Sequence, residues 1–456
     1  MIGVRDVLQR SSTGPIMKER DFDLTFAKRV RELAADSAVK LDSQQVIPTD
    51  AVADAIGAAA MELLVDVGLY NKDSQRVVRF GREELGELIA TRLSSFVMGE
   101  GEQRVEVRER RPGSKLPPTI VTGPVGGPFS EDVFLPCHQS FAQEPTCQGL
   151  LGGVLLRWQG VENMAGRPNE VIVTAAEGQL MKEAADRAGK PGLYLGPYPP
   201  GGVSTQAIFC NHSAGGLAPP RAQIPIQLMP ELKLGWAKID LALYCHNHGV
   251  HPWTDIVSVI GAFCRDPLES SISQTAGVIG AWTFTHGSTA SIWTTDIEGL
   301  CTRRRNLWAN CATTRALERL VGNPVFLLGY ASAGPCTEMA LLETAAYSTA
   351  YTACGGELIW GGSTCNGVKA DRYAGLQGRM VGEASAAACH LSPDAANEVI
   401  DRLFAEYEDD LPRAPEGRTF PECYDLETLT PSDEYLRLYD QTKSRLQNEF
   451  GLSRIQ

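Results

Sequence analysis

The chain has 456 residues, 43% of them hydrophobic and 21% charged, so it can bury a large core and exceeds the needs of one simple domain. Its formal net charge of -13 argues against a nucleic-acid binder, because phosphate neutralisation requires a basic face. The sequence contains no apolar run of membrane-spanning length and no signal-peptide hydrophobic region, so we expect a cytoplasmic protein that does not enter a membrane.

An N-terminal helical segment is predicted over residues 1–120. Apolar residues recur at helical spacing in VADAIGAAAMELLVDVGLY and in REELGELIATRLSSFVMG. Thr49 and Asp50 precede the first of these stretches and Gly81 precedes the second, and residues of these types are helix start signals. We therefore expect two helices here, before the sequence pattern changes near residue 120.

From about residue 120, short β-rich runs alternate with helical stretches such as EGQLMKEAADRAG and CTEMALLETAAYSTAYTACGG. This alternation predicts βαβ units and a parallel sheet. The candidate strands are EVIVTAA at 170–176, GLYLG at 192–196, TQAIFCN at 205–211, KIDLALYCHN at 238–247, AWTFTHG at 281–287 and VFLLGYA at 325–331.

The predicted fold class is α/β, a (β/α)₈ TIM barrel over residues 121–400. A doubly wound open sheet is the competing arrangement, but no GxGxxG motif follows a strand with an acidic residue at the required distance. Residues 401–456 contain a proline- and glycine-rich stretch and a last helix, EYLRLYDQTKSRLQNEF. We expect this C-terminal helical extension to pack on the barrel or on a neighbouring subunit.

Several stretches resemble a known family in order and spacing. The chain is similar over nearly its whole length to the monomethylamine:corrinoid methyltransferases of methylotrophic archaea and bacteria. The resemblance implies a TIM barrel, a homo-oligomer, and transfer of a methyl group from a methylamine to the cobalt of a separate corrinoid protein. It also implies that this corrinoid protein docks over the barrel mouth, and that the chain itself binds no cofactor tightly. The stretches are IPTD at 47–50, GPFSEDVFLPCH at 127–138, AGKPG at 188–192, AGPCTEM at 333–339 and TFPECYDLETLTPSDEY at 419–435.

One departure from the family follows AGKPG. Members of the methylamine type carry pyrrolysine there, in a sequence resembling G-x-G-x-pyrrolysine-G-P, whereas this chain reads GLYLGP at 192–197. The position is either deleted or occupied by Leu195. Pyrrolysine supplies an electrophilic imine that binds the amine, and neither leucine nor tyrosine can do so. The family's acidic residues are also replaced, since the matching region reads AQIPIQLMPELK. We therefore expect a member without pyrrolysine.

Histidines are concentrated near the ends of the candidate strands, which is one indication that the reactive site differs from that of the family. Because barrel strand ends converge on one mouth, these side chains could meet, and imidazole is a common zinc ligand. His246 and His248 are two residues apart, so both would face one side of a strand and could act catalytically. Neutral hydrogen-bonding histidines in a polar pocket are the competing interpretation. The candidate zinc ligands are His212, His246, His248 and His251.

Aromatic side chains offer a second indication, which needs no metal. They could form a pocket that holds a methylated ammonium by cation–π attraction, although each could also be a core residue. Tyr330 is a catalytic candidate because it follows a strand and precedes AGPCTEM, and Glu338 is another, although its place at a helix start equally indicates capping. Asp132 and His138 could be structural or could dock the partner. The candidate substrate-binding residues are Tyr194, Leu195, Trp253, Trp282 and His286, with Tyr198 as a further wall.

Three functional hypotheses follow. The leading one is a corrinoid-dependent methyltransferase without pyrrolysine that acts on a methylated amine, quaternary or otherwise activated. The second is an enzyme of the same barrel in which a histidine-bound zinc activates a nucleophile for methyl transfer or hydrolysis. The third is a barrel that has lost catalysis and serves as a binding module.

Overall fold

Helices and two small hairpins form the N-terminal part of the chain. A computed structural model describes residues 2–41, 45–91, 93–196, 204–214, 216, 220–286, 289–322 and 324–455. The first elements are α1 (Val4–Thr13), α2 (Glu19–Asp36), α3 (Asp50–Val67), β1 (Leu69–Asn71), β2 (Arg76–Val78), α4 (Arg82–Ala90), β3 (Ser95–Met98) and β4 (Val105–Arg108). The helix predicted in VADAIGAAAMELLVDVGLY is confirmed as α3. The next predicted helix ends at Ala90, and its apolar continuation SFVM is a strand.

The middle of the chain alternates strands with helices. Its elements are β5 (Thr119–Thr122), β6 (Pro128–Phe129), α5 (Glu131–Ala142), β7 (Gly149–Leu151), β8 (Val154–Leu155), β9 (Arg157–Trp158), β10 (Val161–Glu162), α6 (Pro168–Arg187), β11 (Tyr194–Gly196), α7 (Thr205–Ala214), β12 (Ile224–Leu228), β13 (Lys233–Leu234), α8 (Trp236–His248) and β14 (Pro252–Ile260).

The same alternation continues until the chain becomes helical. The remaining elements are α9 (Pro267–Thr285), β15 (Thr289–Asp296), α10 (Arg304–Leu320), β16 (Val325–Tyr330), α11 (Glu338–Ala353), β17 (Leu358–Ser363), α12 (Gly375–Ala388), α13 (Pro393–Tyr407), α14 (Phe420–Cys423) and α15 (Asp433–Asn448). Short 3₁₀ turns lie at Gly101–Gln103, Cys365–Gly367 and Glu408–Arg413.

Within the described residues, eight parallel strands form one sheet in the order β11-β7-β5-β17-β16-β15-β14-β12. The first of these strands along the chain, β5, pairs with the last, β17. The beginning and the end of the barrel sequence are therefore joined within the sheet. The edge strand β11 meets the segment just before the other edge strand, β12, where the Leu195 N–H donates to the Arg221 carbonyl at 2.7 Å. The sheet therefore closes into the predicted (β/α)₈ barrel.

Two of the six candidate strands are confirmed and four are wrong. GLYLG contains β11 and VFLLGYA contains β16, but the other four stretches lie in α6, α7, α8 and α9. All four helices are covered by neighbouring elements on much of their surface, and α9 is buried along its whole length. A short apolar run of this kind cannot be distinguished from a buried strand by periodicity.

Aromatic side chains fill the barrel interior. The Phe326 ring stacks on Trp360 at 4.6 Å between centroids, and Trp253 meets Trp360 edge to face at 4.9 Å. Trp253 lies on β14 and Trp360 on β17, and two strands separate these in the sheet, so the contact crosses the interior. Phe96 of the β3–β4 hairpin packs against Phe326 at 6.1 Å. The interior is therefore a packed core below an open mouth.

The C-terminal helices pack on the outside of the barrel. α13 and α15 both contact α11, and the Tyr435 hydroxyl donates to Gln377 of α12 at 3.1 Å. Arg445 of α15 bonds Glu338 at 2.7 Å and Glu406 at 3.0 Å. In the described part of the chain, no helix has both the length and the hydropathy of a membrane span. The division of the chain at residues 120 and 400 stays a prediction.

We predict that Trp360→Ala lowers the free energy of unfolding by about 3–5 kcal/mol, because it removes a large buried side chain from the aromatic core. Urea unfolding followed by circular dichroism measures this change. Leu116→Ala is the control, because Leu116 is 74% exposed and its loss should change stability by no more than about 0.5 kcal/mol. Equal effects of the two substitutions would contradict a packed interior.

Candidate active site

The barrel interior contains a buried carboxylate near the mouth. Asp255 of β14 is 2% exposed, and its oxygens accept hydrogen bonds from the Gln227 amide at 3.0 Å and the Ser291 hydroxyl at 2.5 Å. Asp255 is two residues after Trp253, which faces the interior, and alternate strand residues share a face. Its partners stand beside it in register on β12 and β15. Three strands thus fix one acidic group inside the barrel.

Above Asp255 the interior is open. Gln227 is exposed and Val257 is partly exposed, although both lie on strands and share the inward face with Asp255. Trp293 of β15, which is paired with Val257, is also partly exposed. Because inward-facing residues would be buried if the barrel were filled to its rim, these residues line a solvent-accessible mouth at the carboxyl ends of the strands.

Tyr330 lies in this mouth, as expected from the sequence. It is the last residue of β16, its ring is 5.2 Å from that of Trp293, and its hydroxyl is 3.2 Å from the Val125 carbonyl, to which it donates. Gly367 approaches the same ring so closely that an added Cβ would be 2.9 Å from it, and its φ is +73°. Only glycine satisfies both conditions without strain, so the ring position is tightly fixed.

Four loop segments form the rim of the mouth and bond to one another. The Asp371 carboxylate accepts the Ser130 N–H at 2.9 Å and the Ser130 hydroxyl at 2.8 Å, and the Asp371 carbonyl accepts the Phe420 N–H at 2.6 Å. On the other side, the Gly334 N–H donates to the Pro415 carbonyl at 2.8 Å. The family-like stretches at 127–138, 333–339 and 419–435 thus meet at one rim.

Glu343 supports the rim from below. This fully buried carboxyl accepts the Ser332 N–H at 2.8 Å, the Ala333 N–H at 2.9 Å and the Thr302 hydroxyl. Burial raises the pKa of Glu343 to about 7, and these hydrogen bonds oppose the shift. The loop after β16 is therefore held by a side chain from the second turn of α11.

His138 holds the loop after β7 in the same way. Its Nε2 accepts the Gly153 N–H at 2.9 Å, and its Nδ1 is 2.5 Å from the Phe134 carbonyl, to which it donates. Burial lowers the pKa of His138 to about 4, which keeps the imidazole neutral. Asp132 lies in the first turn of the same helix, α5.

A family model described as monomethylamine methyltransferase MtmB matches residues 2–452. The chain belongs to this monomethylamine methyltransferase family. Its curated relatives include MtmB1 of Methanosarcina acetivorans, 31% identical over 97% of each chain, and an MtmB2 of Methanosarcina barkeri, 33% identical over 97% of each chain. The prediction that the chain is a methyltransferase enzyme is confirmed.

Solved structures of the MtmB family share the fold. The crystal structure of monomethylamine methyltransferase from Methanosarcina barkeri matches with a TM-score of 0.94 and 29% identity, over 98% of both chains. The structure of a hydroxylamine MtmB complex matches equally well, with a TM-score of 0.94 and 29% identity. The barrel fold predicted from the sequence is therefore the fold of the family.

The histidines predicted to line the mouth of this MtmB family member lie elsewhere. His246 and His248 belong to the last turn of α8, not to a strand, and His251 precedes β14. His286 ends α9, and its ring is 5.6 Å from that of His246. Helices end and strands begin at the amino end of a barrel, so the histidines lie on the face opposite the mouth. His246, His251 and His286 border a cavity of about 300 Å³ there.

The predicted zinc site is therefore wrong. His212 is buried on α7, and the ring of His248 on α8 packs on Tyr244 at 4.4 Å. No group of three or more histidine, cysteine, aspartate or glutamate side chains that could hold a metal occurs among the described residues. The prediction that His246 and His248 face the same side failed because it required strand geometry in a segment that is helical.

The aromatic predictions divide between interior and exterior. Tyr194 and Trp253 lie in the interior core, where the Tyr194 hydroxyl is 3.2 Å from Gln223 Oε1, to which it donates. Leu195 and Trp282 belong to the outer core between barrel and helices. Tyr198 lies outside the described residues. Glu338 begins α11 and pairs with Arg445, as described above.

Sequence reasoning missed Asp255, Gln227, Ser291 and Trp293. None belongs to a motif, and β12, β14 and β15 were not among the candidate strands. The available signal was the run PWTDIVSVI, in which one acidic residue interrupts alternating apolar and β-branched residues. A carboxylate within such a run indicates a functional or paired group, because an unsatisfied buried charge is costly.

The pH dependence of stability tests the support beneath the rim. Because the pKa of Glu343 is raised to about 7 from 4.5, the neutral form is favoured in the folded state. Its contribution to stability should therefore be fully present below about pH 4.5 and be lost as pH rises through about 7. Urea unfolding of wild type and Glu343→Gln between about pH 4.5 and pH 8 measures the difference. If wild type instead gained stability relative to Glu343→Gln as pH rises, the N–H donors would be stabilising the ionised form.

Proposed function

We propose that this chain transfers a methyl group from a methylated amine, quaternary or otherwise activated, to a corrinoid protein without using pyrrolysine. Membership of the monomethylamine methyltransferase family supports the reaction class. The observation that carries the rest concerns β11, whose residues Tyr194, Leu195 and Gly196 occupy the place where the family resemblance predicts pyrrolysine.

The pleat of β11 sets which of its side chains face the mouth. Tyr194 faces the interior core, so Leu195 faces outward, and Gly196 faces inward again. A Cβ on Gly196 would be only 2.6 Å from the Leu151 side chain. Leu195 and Gly196 carry no imine, which supports a reaction that needs none.

A quaternary amine fits this chemistry because its leaving group is already activated. When the C–N bond breaks, its electron pair stays on nitrogen and a neutral tertiary amine departs. The reduced cobalt of the corrinoid, a substrate carried by another protein, supplies the electron pair for the new bond to carbon. No proton has to be delivered. The chain has only to bind, orient and desolvate the donor.

The mouth offers groups for that task. Trp293 and Tyr330 present aromatic rings 5.2 Å apart at its wall, and aromatic faces attract alkylated ammonium ions. The hydrogen-bonded rim around them gives a partner protein a rigid surface to dock on. Following the family resemblance, we also propose a homo-oligomer in the cytoplasm, with the corrinoid protein as its partner.

Direct assay tests the reaction. Purified protein, a reduced corrinoid protein from a relative's system and a panel of methylated amines should yield the demethylated amine only from quaternary or otherwise activated donors. Mass spectrometry of the amine and the absorption spectrum of the corrinoid report the two products. Failure with every methylated amine would instead favour a binding module.

The intact mass tests the absence of pyrrolysine. The purified chain should have the mass of the 456 residues printed, about 49.3 kDa, with none added between Leu195 and Gly196. An excess equal to one pyrrolysine residue would overturn the pyrrolysine-free reaction, whatever the activity.

Trp293→Leu should raise the KM for the donor about 2- to 30-fold, since a cation–π contact contributes about 0.5–2 kcal/mol. Initial rates at varied donor concentration measure this. Trp236→Leu is the matched control, because Trp236 packs in the outer core and should leave KM unchanged. Equal KM values for wild type and Trp293→Leu would remove Trp293 from the donor site.

A further inference from the structure

We propose that Cys336 and Cys423 form a redox-sensitive thiol pair, which a small disulfide such as oxidised glutathione converts to a disulfide bond across the rim of the barrel mouth. Both cysteines are free thiols in this structure. The inference goes beyond the proposed function, because it concerns a covalent modification of the rim and neither the donor nor the methyl transfer.

The two thiols are in contact although they are far apart in sequence. Cys336 lies in the loop after β16, and Cys423 is the last residue of α14. A side-chain hydrogen bond joins the two thiols. Because an S–S bond is about 2 Å long, the sulfurs need only a short further approach to form one. The pair therefore stands where two family-like stretches of the rim meet.

Backbone contacts hold the two segments together. The Arg418 N–H donates to the Pro335 carbonyl at 3.0 Å, and a Cβ on Gly417 would be 2.2 Å from the same oxygen. Cys336 itself has a φ of +60°, a left-handed conformation that is uncommon for residues other than glycine. The fixed backbone, and not the weak bond between the sulfurs, thus brings the thiols together.

Exposure sets the order of the reaction. Cys336 is half-buried and Cys423 is fully buried, so a small disulfide reaches Cys336 first. The Cys336 thiolate attacks one sulfur of oxidised glutathione, which forms a mixed disulfide and releases one glutathione. The Cys423 thiolate then attacks the Cys336 sulfur and releases the second glutathione. The two thiol protons pass through solvent to the released glutathiones, and oxidised glutathione takes up the two electrons.

The surrounding charges make this exchange slow at neutral pH. Burial raises the pKa of Cys336, the Glu434 carboxylate adds to the shift, and the Arg418 guanidinium opposes it. Only the thiolate attacks a disulfide, so the rate rises with pH. In a reducing compartment the pair therefore stays open, and it closes under sustained oxidation.

Peptide mass spectrometry of the full-length protein tests the pair. The protein is incubated with oxidised glutathione near the ordinary pKa of a free thiol, about 8.5, and remaining thiols are then blocked with N-ethylmaleimide before digestion. Wild type should yield a peptide pair cross-linked between Cys336 and Cys423. Cys423→Ala should instead keep one glutathione on Cys336, whereas Cys336→Ser should leave the buried Cys423 without glutathione.

Cys210→Ser is the matched control. Cys210 is also half-buried but lies on α7, so its loss should leave the cross-link unchanged. The wild-type cross-link needs no variant, so the test holds even if a substitution prevents folding. Glutathione that stays on Cys336 of wild type, or N-ethylmaleimide on both residues after oxidation, would overturn the inference.

Thermal unfolding tests the consequence for the rim. A disulfide between distant residues restricts the unfolded chain, so oxidised wild type should unfold at a midpoint at least about 3 °C above reduced wild type. Dithiothreitol should reverse the rise, and Cys423→Ala should show none. A cross-linked protein with an unchanged midpoint would contradict a brace across the rim.

Discussion

Closure of the parallel sheet is the constraint on which the site depends. The bond from the Leu195 N–H to the Arg221 carbonyl joins the third barrel strand to the segment that leads into the fourth, and β5 joins β17 on the other side. Once the sheet is closed, every second side chain must point inward, and residues from distant parts of the chain share one interior. Asp255, Ser291 and Tyr330 meet near the mouth for this reason alone, without any local sequence motif.

A different set of interactions builds the rim. Here the backbone leaves regular structure, so its polar groups need other partners, and buried side chains supply them. Glu343 and His138 each bond backbone N–H groups of a loop that follows a strand, and both have pKa values shifted by burial. The family-like stretches are largely these loops. The parts of the sequence that resemble the family most clearly thus encode a shaped surface more than a reaction.

The interior and the rim thus depend on different interactions, and this difference explains which features could be predicted from the sequence. The barrel was predictable because alternating strands and helices, and motifs in a fixed order, reflect backbone requirements. Tyr330 was predictable because it adjoins a rim motif. His246 and His248 were misplaced because apolar runs occur in buried helices as well as in strands. The end of a strand lies at the mouth, whereas the end of a helix lies at the opposite face, so taking a helix for a strand places its last residues at the wrong end of the barrel. Asp255 was out of reach, since only the register of β12, β14 and β15 brings its partners to it.

The geometry of the interior also determines which strands can present a reactive side chain to the mouth. A side chain on β11 reaches the mouth only from the positions of Tyr194 or Gly196. The first is filled by a ring in the core, and a side chain at the second would crowd Leu151. In the proposed reaction, groups that this strand does not supply must therefore come from other strands of the barrel. β12, β14 and β15 follow one another around the barrel from β11, on the far side of the closure. They carry the interior carboxylate and its two hydrogen-bond donors. An already activated donor, as proposed, needs no covalent capture, so the remaining strands have only to bind and orient it.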